Sequence, residues 1–262
     1  MTDSLVRIER DGTRARVTMN RPTVRNAFNA ELVARLRDTF VALSADDSVR
    51  SIVLAGEGTT FNGGADIAWM RASLELSEVE NIRDAEAMAA MLLAIDRCPK
   101  PVIARVHGAA LGGGCGLVAA ADIAVAADDA LFGFTEVKLG IIPAVISPFV
   151  LAKIGISQAR ALFVTGERFD AAHAQRIGLI HHVVPAADLD TRIARILDEF
   201  RTAAPSAIAA AKAVVRDVSG AASPAEAAAL SARALAHQRT TPEGQEGLRA
   251  FLERRSASWH DT

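Results

Sequence analysis

Two glycine-bearing turns and one glutamate hold the chemistry this chain can do. The first turn is Phe61-Asn62-Gly63-Gly64-Ala65-Asp66-Ile67 and the second is Leu111-Gly112-Gly113-Gly114-Cys115-Gly116. Each follows an apolar segment and opens a helical pattern, so each places unpaired backbone N–H groups at or near a helix N-terminus, where the helix dipole favours negative charge. Glycine permits close approach of a ligand to that backbone. Either turn alone is also explained by tight strand-to-helix packing. The glutamate is Glu136, with Phe132, Phe134, Val137 and Leu139 as apolar neighbours in the sequence. Such surroundings raise a carboxyl pKa and suit it to proton transfer. The plainer alternative is an ion pair with Lys138 or a surface arginine.

Other chemistries fail on spacing. Leu117 stands where a dinucleotide fingerprint built on Gly112 and Gly114 needs glycine, and no GxxxxGK[ST] occurs. The histidines form no HExxH and the cysteines no paired CxxC, so no metal site is expected. No GxSxG elbow seats a hydrolytic serine. Cys115 reads as a small buried hydrophobe rather than a nucleophile. His181 and His182 read as a solvated strand end.

The scaffold that must position these turns alternates strand and helix. Apolar, β-branched segments recur at Ala15–Met19, Ser51–Ala55, Pro101–Val106, Asp122–Ala126 and Gly178–Val184, with helical patterns between several of them. Leu32, Leu36, Phe40 and Leu43 predict a helix from Asn29 to Ser44. A second, Ser77 to Arg97, carries Met88, Met91, Leu92 and Ile95 and stops before Pro99; its methionines read as core filler. From Asp188 the pattern is Ala-rich and helical. Ser223, Pro224 and Glu226 supply an N-cap, a first-turn proline and a capping-box glutamate, and a last helix after Thr241-Pro242 carries Leu248, Phe251 and Leu252. The chain therefore divides into an α/β core over 1–187 and a helical appendage over 188–262. An appendage of that size rarely makes a core alone, so it is expected to pack on the main domain or on another subunit.

Composition narrows the class. Lys plus Arg (29) nearly balance Asp plus Glu (31), and with no tyrosine and 5% aromatics there is no support for nucleic-acid or anionic-membrane binding. Two cysteines make no disulfide framework, and Met1–Arg10 is polar and charged, so a reduced, cytoplasmic protein without a secretory signal is expected. Gly108–Ala127 approaches the length of a membrane span, but its five glycines and Asp122 favour a turn, a buried helix and a buried strand.

In this order and separation, five segments resemble the crotonase superfamily, the enoyl-CoA hydratase and isomerase family. They are RPTVRNAFN (21–29), FNGGADIAWM (61–70), PKPVIARVHGAALGGGCGL (99–117), ADIAVAADDALFGFTEVKLGIIP (121–143) and TGERFDAAHAQRIGLIHHVVP (165–185). The resemblance implies a spiral of ββα turns followed by C-terminal helices, assembled as a homotrimer or dimer of trimers. It implies an acyl-CoA thioester substrate, no cofactor beyond the CoA of that substrate, and a place in fatty-acid or branched-chain amino-acid catabolism. The two oxyanion-hole donors of the family fall on the N–H of Ala65 and Gly113; losing one such donor elsewhere costs about 10²–10³ in rate. Its proton-transferring glutamate falls on Glu136. Arg25 falls near the CoA phosphates, where a guanidinium is well suited. Ala27, Gly63, Ala65, Asp66 and Ile67 fall along the CoA groove, and Ala109, Leu111, Gly112, Gly113, Glu136 and Gly140 complete the implied substrate contacts. Asp66 reads equally as a helix N-cap. Ala68 stands near a frequent lysine of the family, which removes one phosphate contact.

Two departures matter. The second hydratase glutamate would stand at position 116, which is Gly116. Where plain hydratases have a glycine-rich stretch after the Ile-Pro dipeptide, this chain has Ala144-Val145-Ile146-Ser147-Pro148-Phe149-Val150. Both features resemble bacterial methylglutaconyl-CoA and related branched glutaconyl-CoA hydratases. Hydration of an α,β-unsaturated thioester is thus the leading expectation. Its rivals are a Δ3,Δ2-enoyl-CoA isomerase, which needs one carboxylate, and a non-catalytic acyl-CoA binder. The acyl pocket is expected between Trp69–Asp84 and the segment after Pro143, with Arg71 and Arg83 as candidate partners for a distal carboxylate, unless they are solvated helix-face charges.

Overall fold

The computed structural model describes residues 4–261. Of the polar opening Met1–Arg10, the first three residues lie outside those described. The strands are β1 (Val6–Asp11), β2 (Arg14–Met19), β3 (Ser51–Gly56), β4 (Val102–Val106), β5 (Ala109–Leu111), β6 (Ile123–Ala127), β7 (Leu131–Gly133), β8 (Arg168–Asp170) and β9 (His182–Val184). The helices are α1 (Ala30–Ser44), α2 (Ile67–Ser73), α3 (Glu78–Asp96), α4 (Gly113–Ala120), α5 (Ser147–Thr165), α6 (Ala171–Arg176), α7 (Leu189–Thr202), α8 (Pro205–Ser219), α9 (Pro224–Thr240) and α10 (Pro242–Leu252).

The larger sheet runs β1-β2-β3-β4-β6-β9; β1 and β2 form an antiparallel hairpin and the remaining pairs are parallel. The smaller sheet is β5-β7-β8. The chain repeatedly leaves the larger sheet, adds a short strand beside the smaller one and returns through a helix: β4-β5-α4, then β6-β7-α5. This is the expected spiral of ββα turns. Because successive turns lie side by side, Asn62 bridges Ala110, and Ala110 pairs with Phe132. Residues nearly fifty positions apart thereby become neighbours, and the site depends on that stacking.

Parallel strands covered on both faces read as continuous apolar runs, and Ile52, Leu54, Val102, Ile103 and Val106 are fully buried. Leu32, Leu36 and Phe40 of α1 and Met91, Leu92 and Ile95 of α3 are buried with them. Asn29 caps α1 by accepting from Leu32 N–H at 2.8 Å, and Ser77 with Glu80 forms the capping box of α3. The run 108–127 folds as β5, α4 and β6, and among the described residues no helix is long and apolar enough to cross a membrane.

Compact units divide the chain within α7: one runs through Cys98 and from Val102 to Ile193, the other comprises Pro99–Pro101 and the residues from Ala194 on. In the second unit Ser223 caps α9 by accepting from Glu226 N–H, but the Glu226 carboxylate turns back to the N–H of Ala222 instead of that of Ser223. The predicted box is therefore displaced by one residue.

Several elements differ from the sequence reading. Only His182–Val184 of the predicted strand 178–184 is extended, because Gly178 (φ +85°) reverses the chain and Leu179 N–H bonds back to Ala174 O at the end of α6. Helix α5 was masked in the sequence by Pro148 in its first turn and by Gly155, whose φ of +71° breaks the helical path midway. Strands β5, β7 and β8 have three residues each, too few for a period to register.

Candidate active site

The two glycine turns are stitched into one unit by main-chain bonds. Asn62 N–H donates to Ala109 O at 3.0 Å, and Leu111 N–H donates to Asn62 O at 3.1 Å. The buried Asn62 side chain finishes the seam: its amide donates to Asn26 O at 2.7 Å, and its oxygen accepts from Gly64 N–H at 2.9 Å. A Cβ on Gly114 would lie 2.8 Å from Asn62 O, so glycine there lets α4 press against the first turn.

The direction of the Ala65 N–H follows from its bridge to Phe28. Phe28 N–H donates to Gly64 O and Phe28 O accepts from Asp66 N–H, so Ala65's own N–H faces the other way. Gly113 is the first residue of α4, and its N–H has no intrahelical partner. Ala65, Gly113 and Glu136 line a single cavity of about 290 Å³.

Glu136 reaches that cavity from a short 3₁₀ turn, Thr135–Leu139, that follows β7. Ile141 N–H bonds back to Glu136 O, and Gly140, at φ +75°, ends the turn. The carboxyl lies beside the second glycine turn, with Oε1 3.2 Å from where a Gly112 Cβ would stand. Its Oε2 is buried without a hydrogen-bond partner among the described residues. Burial pushes the carboxyl above its ordinary pKa, a shift partly offset by a hydrogen bond from its own backbone N–H. The alternative pairing with Lys138 or an arginine is not among the described ion pairs.

Two backbone N–H donors that line one cavity can stabilise an oxygen that gains negative charge, and one partly desolvated carboxyl in the same cavity can move a proton to or from a neighbouring carbon. Comparison with known proteins gives the same class. The profile of the enoyl-CoA hydratase/isomerase family matches residues 9–262. Enoyl-CoA hydratase AFT6-1 of Alternaria alternata is 36% identical over 210 residues, covering 80% of this chain and 68% of that one. A solved enoyl-CoA hydratase from Shewanella pealeana superposes with a TM-score of 0.95 at 32% identity, covering 98% of this chain and 97% of that one. The structure of Pseudomonas aeruginosa AtuE gives 0.93 at 37% identity, covering 98% and 100%. The chain belongs to the enoyl-CoA hydratase/isomerase family.

In this crotonase-fold protein the remaining predicted residues divide by position. Asp66 is the N-cap of α2, accepting from Ala68 N–H at 2.7 Å, and it also pairs with Arg21 at 2.8 Å. The Arg21 hydrogen bond, with the Ala68 N–H second, holds its carboxyl below the usual range. Arg21 also donates to Ala27 O, and Ala27 is buried and outside the cavity lining. Arg25 is exposed, and its carbonyl accepts from Gly63 N–H at 2.8 Å. Ala109, Leu111 and Gly112 shape the second turn: Gly112, at φ +51°, donates to Gly133 O at 2.8 Å. Ile67 is exposed on α2, and neither it nor Gly140 lines the cavity.

The rest of the cavity wall draws on both segments expected to form the acyl pocket. It comprises Trp69, Met70 and Ser73 on α2, Asn81, Asp84 and Ala85 on α3, and Ile141–Ile146. Arg71 and Arg83 are not part of it. Sequence reasoning missed Phe28 and Met88, both of which line the cavity beside Gly113; a Cβ there would lie 2.7 Å from Met88 Cε. Core filler therefore describes Met91, which is fully buried, but only half of what Met88 does. The signal for Met88 was its place on the α3 face that carries Asp84 and Ala85.

The other reactive side chains are structural. Cys115 is fully buried, its Sγ–H donates to Ala110 O at 2.9 Å, and burial pushes the thiol up to about 12. Among the described residues no group of three His, Cys, Asp or Glu side chains could hold a metal. His181 is more than a solvated strand end, since its Nδ1 accepts from Ala124 N–H at 3.0 Å. Desolvation of the ring, then the charge of Lys153, lowers its pKa to about 4.

Proposed function

We propose that this protein hydrates an α,β-unsaturated acyl-CoA thioester through an enolate, with Ala65 and Gly113 N–H holding the thioester oxygen and Glu136 as the acid–base group. One observation carries this reading: both amides and a carboxyl with an unsatisfied, buried oxygen line the same cavity. Glu136 takes a proton from water as the hydroxyl bonds to the β-carbon. The π electrons move onto the thioester oxygen, and the carboxyl then returns the proton to the α-carbon. A carboxyl with a raised pKa is suited to both directions of transfer. The exposed Arg25 is read as a contact for the CoA phosphates, and Ala27, Gly63, Asp66 and Ile67 as support for the CoA groove.

The absent second carboxylate supports a second reading. A Cβ at Gly116 would lie 2.4 Å from Ile146 Cγ2, so an apolar side chain fills the space where a longer residue would begin. A Δ3,Δ2-enoyl-CoA isomerase needs only one proton-moving group and fits that arrangement. Incubation with crotonyl-CoA separates the two. Hydration removes the ultraviolet absorbance of the conjugated thioester; retained absorbance together with consumption of a 3-enoyl-CoA overturns hydration in favour of isomerisation.

The branched glutaconyl esters implied by the resemblance are the less favoured of the finer candidates. Their distal carboxylate would meet no lysine, arginine or histidine of the cavity lining, whose polar groups are Ser73, Asn81, Asp84, Glu136 and the indole N–H of Trp69. Assembly as a trimer or dimer of trimers belongs to the same reading, supported by Phe251 and Leu252 of α10, which are 81% and 78% exposed. So does a reducing, cytosolic location, supported by the burial of both cysteines.

A further inference from the structure

The cavity changes character along α3. Met88 stands beside Gly113 at the reacting end, and Asn81, Asp84 and Ala85 precede it at helical spacing on the same face. At 1.5 Å per residue, Asp84 lies about 6 Å further along the helix axis than Met88. An acyl tail running outward from the two amides therefore meets apolar Met88 first and a polar patch beyond it. The facing wall, Ile141–Ile146, is apolar.

The patch on α3 offers acceptors, and the indole N–H of Trp69 on α2 is a donor of the same lining. The Ser73 hydroxyl already donates to Met70 O at 2.8 Å. The Asn81 amide nitrogen donates to Leu76 O and Ser77 O, both at 3.2 Å, which leaves the side-chain oxygen as an acceptor. The Asp84 carboxylate is an acceptor and carries negative charge. A tail ending in a hydroxyl finds partners there. A tail ending in a carboxylate meets the Asp84 carboxylate as a like charge, which is how a site rejects a competitor of the same length.

We infer that Asp84 is a specificity-determining residue that selects 2-enoyl-CoA esters bearing a hydrogen-bond donor beyond the reacting carbons and excludes those with a distal carboxylate. The inference rests on the hydratase reading and names its substrate class. The test compares kcat/KM for 6-hydroxyhex-2-enoyl-CoA and for hex-2-enedioyl-CoA, which differ only in the terminal group. The wild-type protein is expected to favour the hydroxylated ester at least tenfold. Asp84→Asn supplies a donor and removes the charge, and is expected to shrink that preference by about tenfold or more; Asp84→Ala should shrink it less. Thermal melts of both variants report whether the fold is kept, and the ratio of two substrates on one preparation is insensitive to partial loss of folded protein. A wild-type ratio near one, or a ratio unchanged within twofold in Asp84→Asn, overturns the inference while leaving hydration intact. A wild-type protein that hydrates neither ester nor crotonyl-CoA overturns the hydratase reading itself.

Discussion

The two walls of the cavity are built by different means. One wall is main chain: Ala65 and Gly113 line the cavity on turns held together by the Phe28–Ala65 and Asn62–Ala110 bridges. The other is side chain: α2, the start of α3 and Ile141–Ile146 supply its surface. A wall of bridged backbone tolerates little displacement, because any movement breaks buried hydrogen bonds. A wall of side chains can be repacked residue by residue. On the proposed hydratase reading, the reaction class belongs to the first wall and substrate choice to the second. Glu136 stands at their junction, as the 3₁₀ turn that carries it leads through Gly140 into Ile141–Ile146.

That contrast is open to direct attack. The largest effect should come from Glu136→Gln, which keeps shape and removes the proton-moving group. A loss in kcat of about 10²–10⁴ with acyl-CoA binding retained is expected, measured by turnover alongside calorimetric titration. Full activity in this variant would assign proton transfer to a different base, whereas acyl-CoA binding without turnover in the unmodified protein would favour the non-catalytic reading.

Next comes the backbone seam. Gly114→Ala places a methyl against Asn62 O, a main-chain atom that cannot swing aside. The turns should separate and kcat fall by about 10²–10³, the usual cost of one lost oxyanion donor. Gly113→Ala meets the flexible tip of Met88 and the Phe28 ring, so a larger loss there than in Gly114→Ala would contradict a rigid first wall.

A smaller effect tests the second wall. Gly116→Glu should overpack Ile146 and lower stability by about 1–3 kcal/mol, and adding Ile146→Ala should recover part of it, as read by thermal denaturation. The smallest concerns Asp66, whose pKa is depressed in the folded state by Arg21. Its contribution is present above the ordinary carboxylate value of 3.8 and lost as pH falls through the lower folded value. Asp66→Asn keeps an N-cap and should cost about 1–2 kcal/mol at neutral pH, a difference that vanishes in strong acid.

Legibility in the sequence followed the same division. Glycine is informative wherever the backbone itself is the functional group, so Gly63-Gly64 and Gly112-Gly113-Gly114 marked both turns without any structure. Arg21 was invisible because its two partners, Ala27 O and the Asp66 carboxylate, are a main-chain atom and a residue forty-five positions away. Met88 was misread because one helical face continues from the core into the cavity with no change of residue type. The long helices were legible because their apolar period spans several turns, whereas three-residue strands contain no period to read.

By itself the sequence determined the alternation of strands and helices, the two anion-favouring turns and the glutamate among apolar residues, because these are local properties of residue type and spacing. Only the tertiary structure decided that the turns share one cavity, that Ile146 occupies the space beside Gly116, and that Asp84 lines the same cavity as Glu136. Those outcomes depend on how successive turns of the spiral stack. Stacking is settled by contacts between residues far apart in the chain, which no local pattern records.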